Sequence, residues 1–228
     1  MESNTDINYL KTSPMFQLSL SSKELFHSNF LYWLYTLNRN NFLELFRKLL
    51  KNKNLGSNWG EWEVKREYNH YDLCVISHED KDEIIHLVLE NKFKSLPNIQ
   101  QLDKYCKKTQ KCECHVLLTL ADKFPNKEKI TDWTIINYKD LGKAISVVFS
   151  DVVGYEAGII RDYINVISII HNQSVSWKVL RGSLFSNSRK EYVDLRIDDI
   201  YIRKLSMRKC WTLLYTICLY LRIRLPGG

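Results

Sequence analysis

The stretch that most constrains this chain is Glu83–Phe93, EIIHLVLENKF. Side chains alternate faces along a strand, so a run apolar at nearly every position is buried on both faces and belongs inside a sheet. On that alternation Glu90, Val88, His86 and Ile84 share one face, and Leu89, Leu87 and Ile85 share the other. The run ends in Glu90-Asn91-Lys92, an acid and a base that face one way with Asn91 facing the other. Just upstream, Tyr71–Ser77 (YDLCVIS) reads as a second strand. The polar residues His78–Asp82 join the two as a hairpin. Asp72 opens that strand, with seventeen residues between it and Glu90.

Two carboxylates and a lysine brought together suit a defined task. Carboxylates and backbone carbonyls are the hard oxygen ligands that magnesium prefers. A bound divalent ion lowers the pKa of a water and stabilises developing phosphoryl charge. A lysine beside it can orient the attacking water, or act as a base if its pKa is lowered. Hydrolysis of a phosphodiester is the chemistry these residue types point to.

The surroundings read as alternating structure. Residues 1–20 form a polar lead-in without periodicity. Leu25, Phe26, Phe30, Trp33, Leu34 and Leu37 then recur at helical spacing, and a second helical pattern covers Asn41–Lys51. Trp62–Tyr68 alternates as a strand. Pro97–Lys108 reads as a helix with Pro97 near its first turn. Cys114–Leu120 and Trp133–Asn137 read as further strands, and 139–150, 155–171 and roughly 191–224 as helices, with the stretch 182–190 rich in Ser and Asn interrupting the last two. The order α, β, β, β, α, β and then helices makes an α/β or α+β domain.

Composition adds bounds. Lys+Arg number 33 against 26 Asp+Glu, a net +7, which fits a polyanionic partner because phosphates are met mainly by Lys and Arg. The N-terminal residues hold no signal of a charged segment followed by an apolar one, so the thiols are expected to stay reduced and the protein to be cytoplasmic. The longest apolar run, Trp211–Leu221, has 11 residues, short of the roughly 20 a membrane span needs. Cys106, Cys112 and Cys114 lack the C-x2-C form of metal sites and are read as buried thiols, Cys112 and Cys114 on one strand face. P-loop, GxSxG and HExxH patterns are missing, which argues against an ATPase or a classical hydrolase.

Asp72 followed by Glu90-Asn91-Lys92 resembles the PD-(D/E)XK nuclease signature, with Tyr71 standing where the signature's name has proline. Gln101-Leu102-Asp103-Lys104-Tyr105 is similar to the QxxxY motif of the RecB-like branch. Glu24–Leu31, ELFHSNFL, is similar to the first-helix motif of a bacterial group of these proteins. The resemblance covers about residues 21–140. It implies a restriction-endonuclease-like αβββαβ core with a mixed central sheet over 21–150, after an extension at 1–20 and before a helical C-terminal region, 151–228, packed on the core.

The resemblance also implies roles. Asp72, Glu90 and the Asn91 carbonyl would hold Mg2+ or Mn2+, and Lys92 would position or activate the water. Gln101 and Tyr105 would face the site from the following helix, Glu24 would add a carboxylate, and His27 would contact metal or phosphate. The expected partner is DNA, with no membrane. A homodimer or a partner protein of a larger nuclease system is compatible, and bacterial defence or DNA repair is the expected setting.

Several residues have a second reading. Glu24 can close a capping box with Ser21, His27 can be a core histidine, and Gln100 replaces Gln101 if the register shifts by one. Glu63-Val64-Lys65 repeats the E-x-K pattern without an Asp in a preceding strand, and is set aside. Two other functions fit the same chain: a nucleic-acid-binding module of this fold that does not cut, and a protein-interaction component.

Overall fold

A computed structural model of the chain describes Thr5 and residues 8–10, 12–22, 24–79, 82–93, 97–109, 111–120 and 127–176. Three helices lead: α1 (Pro14–Ser22), α2 (Glu24–Leu37) and α3 (Arg39–Leu50). Strands β1 (Trp62–Tyr68), β2 (Tyr71–Glu79) and β3 (Asp82–Lys92) follow, then α4 (Ile99–Lys108) and β4 (Cys114–Thr119). The described part closes with β5 (Trp133–Asn137), α5 (Tyr138–Val148) and α6 (Gly154–Ser176). The helix expected over 191–224 lies outside the described residues. Among those described, no helix is long and apolar enough to cross a membrane.

The five strands make one sheet in the order β1-β2-β3-β4-β5. The β1–β2 and β2–β3 pairs are antiparallel, and the β3–β4 and β4–β5 pairs are parallel. This is the mixed α/β sheet expected of a restriction-endonuclease-like core. Central β3 is flanked on both edges, which is why its sequence is apolar on both faces.

One face of the sheet, with Leu73, Val75, Leu87 and Leu89, packs with Phe30, Leu31, Leu34, Leu45, Leu141 and Ile167 of α2, α3, α5 and α6. The other face, with Cys74, Ile76, Val88 and Leu117, packs with Leu102 and Tyr105 of α4. The sheet therefore separates a large helical layer from a small one, and among the described helices only α4 covers the Glu90 side.

The simple alternation expected along β3 holds from Leu87 to Lys92 and fails below it. Val75 pairs with Leu87 but Ile76 pairs with Ile85, so His86 is an extra residue, a β-bulge. Below the bulge the faces invert. Ile85 packs with the α4-side cluster, and His86 stacks on Trp59 at 5.1 Å and hydrogen-bonds Ser77 at 2.7 Å. Periodicity cannot show a bulge, because one inserted residue leaves the composition of the run unchanged.

Among residues 1–20, read as a lead-in without periodicity, the described residues 8–10 and 14–20 are helical. Leu10 and Phe16 are buried in the large cluster. Asp162 of α6 gathers this segment. Its carboxylate accepts from Tyr9 Oη at 2.6 Å, Ser13 Oγ at 2.9 Å and the Met15 amide at 3.2 Å. Ser13 Oγ accepts in turn from the Phe16 amide at 3.1 Å, capping α1. The backbone of Ser21 is helical and falls inside α1. Hydrogen bonds to a charged group are worth roughly 1.5–3 kcal/mol. Asp162→Ala should therefore cost about 2 kcal/mol in urea denaturation; an unchanged midpoint would mean that this segment adds nothing to the fold.

Two smaller expectations also change. Pro97 stands outside α4, whose N-cap is Asn98. Cys112 packs on the α4 side of the sheet and Cys114 on the other, not on one face. Burial pushes the thiols of Cys74 and Cys112 up to about 12 and that of Cys114 higher still. They are protonated packing groups, as buried cysteines usually are.

Candidate active site

The candidate site forms at the carboxyl end of β3, where the sheet changes from antiparallel to parallel pairing. Such an end is where ligands bind in open α/β sheets. Three elements deliver its residues.

The β1–β2 hairpin delivers Asp72. Its two-residue turn, Asn69-His70, has φ of 52° and 74°. Positive φ at both positions is the type I′ geometry that matches strand twist. The register Leu73↔Leu89, continued by one step, sets Asp72 opposite Glu90. Asp72 Oδ2 accepts the Asn91 amide at 2.6 Å. The N–H and C=O of one strand residue face the same neighbour, so the Asn91 carbonyl is turned toward Asp72 as well.

Strand β3 delivers the acid and the base. Glu90 is 2% exposed, and Lys92 Nζ lies 2.6 Å from its Oε1. A carboxylate so buried needs a cation or strong donors, and here it has both. Helix α4 supplies the donor. The Asn98 side chain accepts from the amides of Gln100 and Gln101, at 3.0 and 3.4 Å, and so fixes the first turn. Gln101 and Tyr105, four apart on one face, then point at the strand end. Gln101 Nε2 donates to Glu90 Oε1 at 3.0 Å and to Tyr105 Oη at 2.7 Å.

Proton accounting fixes the direction of this chain. Tyr105 Oη is 2.8 Å from the His70 carbonyl, which can only accept, so the phenol donates there. It must then accept from Gln101, whose second N–H is left for Glu90. Burial, reinforced by Glu90 and opposed by Gln101, pushes the Tyr105 phenol above its ordinary pKa and keeps its proton in place. Gln100 is exposed and takes no part. The orientation of Gln101 is thus anchored on the backbone of the same turn that positions Asp72.

Asp72, Glu90 and Lys92 sum to a net charge of −1. Each carboxylate has about four acceptor sites, so the bonds above use only part of its capacity. Such a site fits a hard divalent cation: two carboxylate oxygens and one carbonyl on one strand end, with water and phosphate to complete the shell. No cluster of three or more His, Cys, Asp or Glu occurs among the described residues. Magnesium does not require one, since it is usually bound through one or two carboxylates.

Other sequence candidates fall differently. Glu24 opens α2, but its side chain lies outside what the structure describes. His27 is fully buried on the far side of the sheet. Its ring lies 3.8 Å from that of Phe93, and its Nδ1 is 3.0 Å from Tyr163 Oη. That places His27 among packed aromatics rather than against a phosphate. Glu63 and Lys65 pair at 3.4 Å on the exposed edge strand β1; half exposed, this second E-x-K pair lacks the burial that sets Glu90 apart.

Sequence reasoning missed Tyr138. The Tyr138 hydroxyl donates to the Asn91 side chain from the first residue of α5. Asn91 is thereby held from both sides, its amide by Asp72 and its side chain by Tyr138. An asparagine N-cap at Asn137 marks where α5 starts, but not where Tyr138 points.

A family model for the PD-(D/E)XK nuclease superfamily matches residues 15–165. Comparison with curated proteins and with solved structures gives no match.

Proposed function

Because the chain belongs to the PD-(D/E)XK nuclease superfamily, we propose that it hydrolyses DNA phosphodiester bonds with Mg2+ or Mn2+ held by Asp72, Glu90 and the Asn91 carbonyl. One observation carries the reading: the buried Glu90–Lys92 pair, braced by Gln101 and set across from Asp72. A divalent ion bound there would acidify a water and offset charge on the phosphate. Lys92, with its side chain 12% exposed, reaches the open end of the strand from an ammonium already fixed by Glu90. It orients the attacking water and shields the negative charge that grows on the phosphate. Gln101 keeps the Glu90 carboxylate in one rotamer, and Tyr105 keeps Gln101 so. Both hold the site rather than touch the reacting atoms. Glu24, at the start of α2, is proposed as a further carboxylate. The net charge of +7 favours a polyanion as substrate, and defence against foreign DNA or repair is the setting we infer.

The test is cleavage of supercoiled and linear plasmid and of single-stranded oligonucleotides in magnesium, manganese and EDTA. Nicking or degradation that needs the metal is the expected result. Binding in EDTA without cleavage in either metal would favour the module that does not cut.

A further inference from the structure

We propose that the edge of α4 carrying Lys104 and Lys108 is the track along which a nucleic-acid strand leaves the candidate active site. This rests on the nuclease reading and names the surface its substrate uses. The helix has two kinds of residue on one edge. Successive residues turn by about 100°. Lys108 therefore lies about 20° from Gln101 around the axis and Lys104 about 60°, while Lys107 lies about 120° away. Gln101 is bonded to Glu90, so the row Gln101, Lys104, Lys108 starts at the reacting end of β3 and runs down the helix. Seven residues at 1.5 Å each span about 10 Å. A duplex strand carries a charge every 3.4 Å of axis, so this row spans about three phosphate steps, and its two lysines can each meet one phosphate.

The side chains are set for that role. Lys104, Lys107 and Lys108 are all exposed. Among the described residues, none of these three lysines forms an ion pair. An open depression of about 400 Å³ lies over the helix among Gln100, Asp103, Lys104, Lys107 and Lys108. Its one acid, Asp103, stands on the edge away from Gln101. Lysines in a last turn also complement the helix dipole, and Lys107 and Lys108 share that benefit equally. Lys107 is therefore an internal control, with the same charge and the same turn but rotated about 120° from Gln101, away from the strand end.

The test compares Lys104→Ala/Lys108→Ala with Lys107→Ala/Lys143→Ala, which removes equal charge, Lys143 being exposed on α5. Binding of labelled duplex and single-stranded oligonucleotides is read by anisotropy against salt, in EDTA and in calcium. The first double variant is expected to bind at least tenfold more weakly at low salt. Its log–log salt slope should be shallower by roughly 1.4–1.8, two contacts at 0.7–0.9 each. The control should stay within twofold of wild type. Equal losses in both variants, wild-type binding by the first, or no binding by the wild type in either condition would overturn the track. Cleavage in magnesium, measured alongside, decides the nuclease reading separately. A chain that cuts while both variants bind alike keeps the enzyme and loses the track.

Discussion

Lys92→Ala should lower metal-dependent cleavage by about a hundredfold to a thousandfold, the scale of losing one preorganised charge-stabilising group. It should also destabilise the protein, because it strands Glu90, 2% exposed, without its cation. Removing one partner of a buried pair typically costs about 3–5 kcal/mol. Lost activity alone would then be ambiguous, and the double variant Glu90→Gln/Lys92→Met resolves it. Neutral groups of similar shape restore much of the stability, since a buried pair replaced as a unit is often near neutral. They restore no chemistry. Urea denaturation and cleavage measured on both variants should separate the two effects: stability recovers in the double variant and turnover does not. Cleavage retained by either variant would remove this pair from the site.

Asp72→Asn should have the opposite profile. The asparagine side-chain oxygen can still accept the Asn91 amide, which Asp72 takes at 2.6 Å, so the strand end keeps its geometry and stability changes little. What is lost is one of the two carboxylate charges available to a hard cation. Calorimetric titration with manganese is expected to show affinity at least about a hundredfold weaker, with cleavage lost in parallel at moderate metal concentrations. Supports of a metal ligand are worth about 10–100-fold, so a ligand itself should cost no less. Manganese affinity equal to wild type would show that Asp72 is not a ligand and that its place is to hold Asn91.

Most of the frame was readable from the chain because it rests on local patterns. The apolar run of β3, the polar turn between β2 and β3 and the helical spacing after Glu24 each declare themselves within a few residues. The order of elements followed from them, and the Asp72, Glu90 and Lys92 cluster followed from alternation above Leu87. What was hidden was set by partners distant in sequence. Residues 8–10 and 14–20 fall in a stretch read as a lead-in without periodicity, yet they are helical, and Asp162 on α6 collects hydrogen bonds from this segment. The bulge at His86 comes from pairing with β2 and leaves no mark in the pattern of β3. His27 carried a motif resemblance, and only the packed rings of Phe93 and Tyr163 show that it lies behind the sheet. Tyr138 sits 47 residues from the asparagine it holds, and the sequence offers nothing that links the two.

The double anchorage of Asn91 bears on how this chain can vary. In the signature the middle letter is written X, a position open to any residue. Here it is tied to Asp72 through its amide and to the start of α5 through its side chain, so the freedom that the signature grants is withdrawn. A change in the helical layer at Tyr138 would reach, through one residue, the carbonyl proposed as a metal ligand. Positions 91 and 138 are then coupled across the sheet, so the proposed catalytic motif and the packing behind it depend on one another.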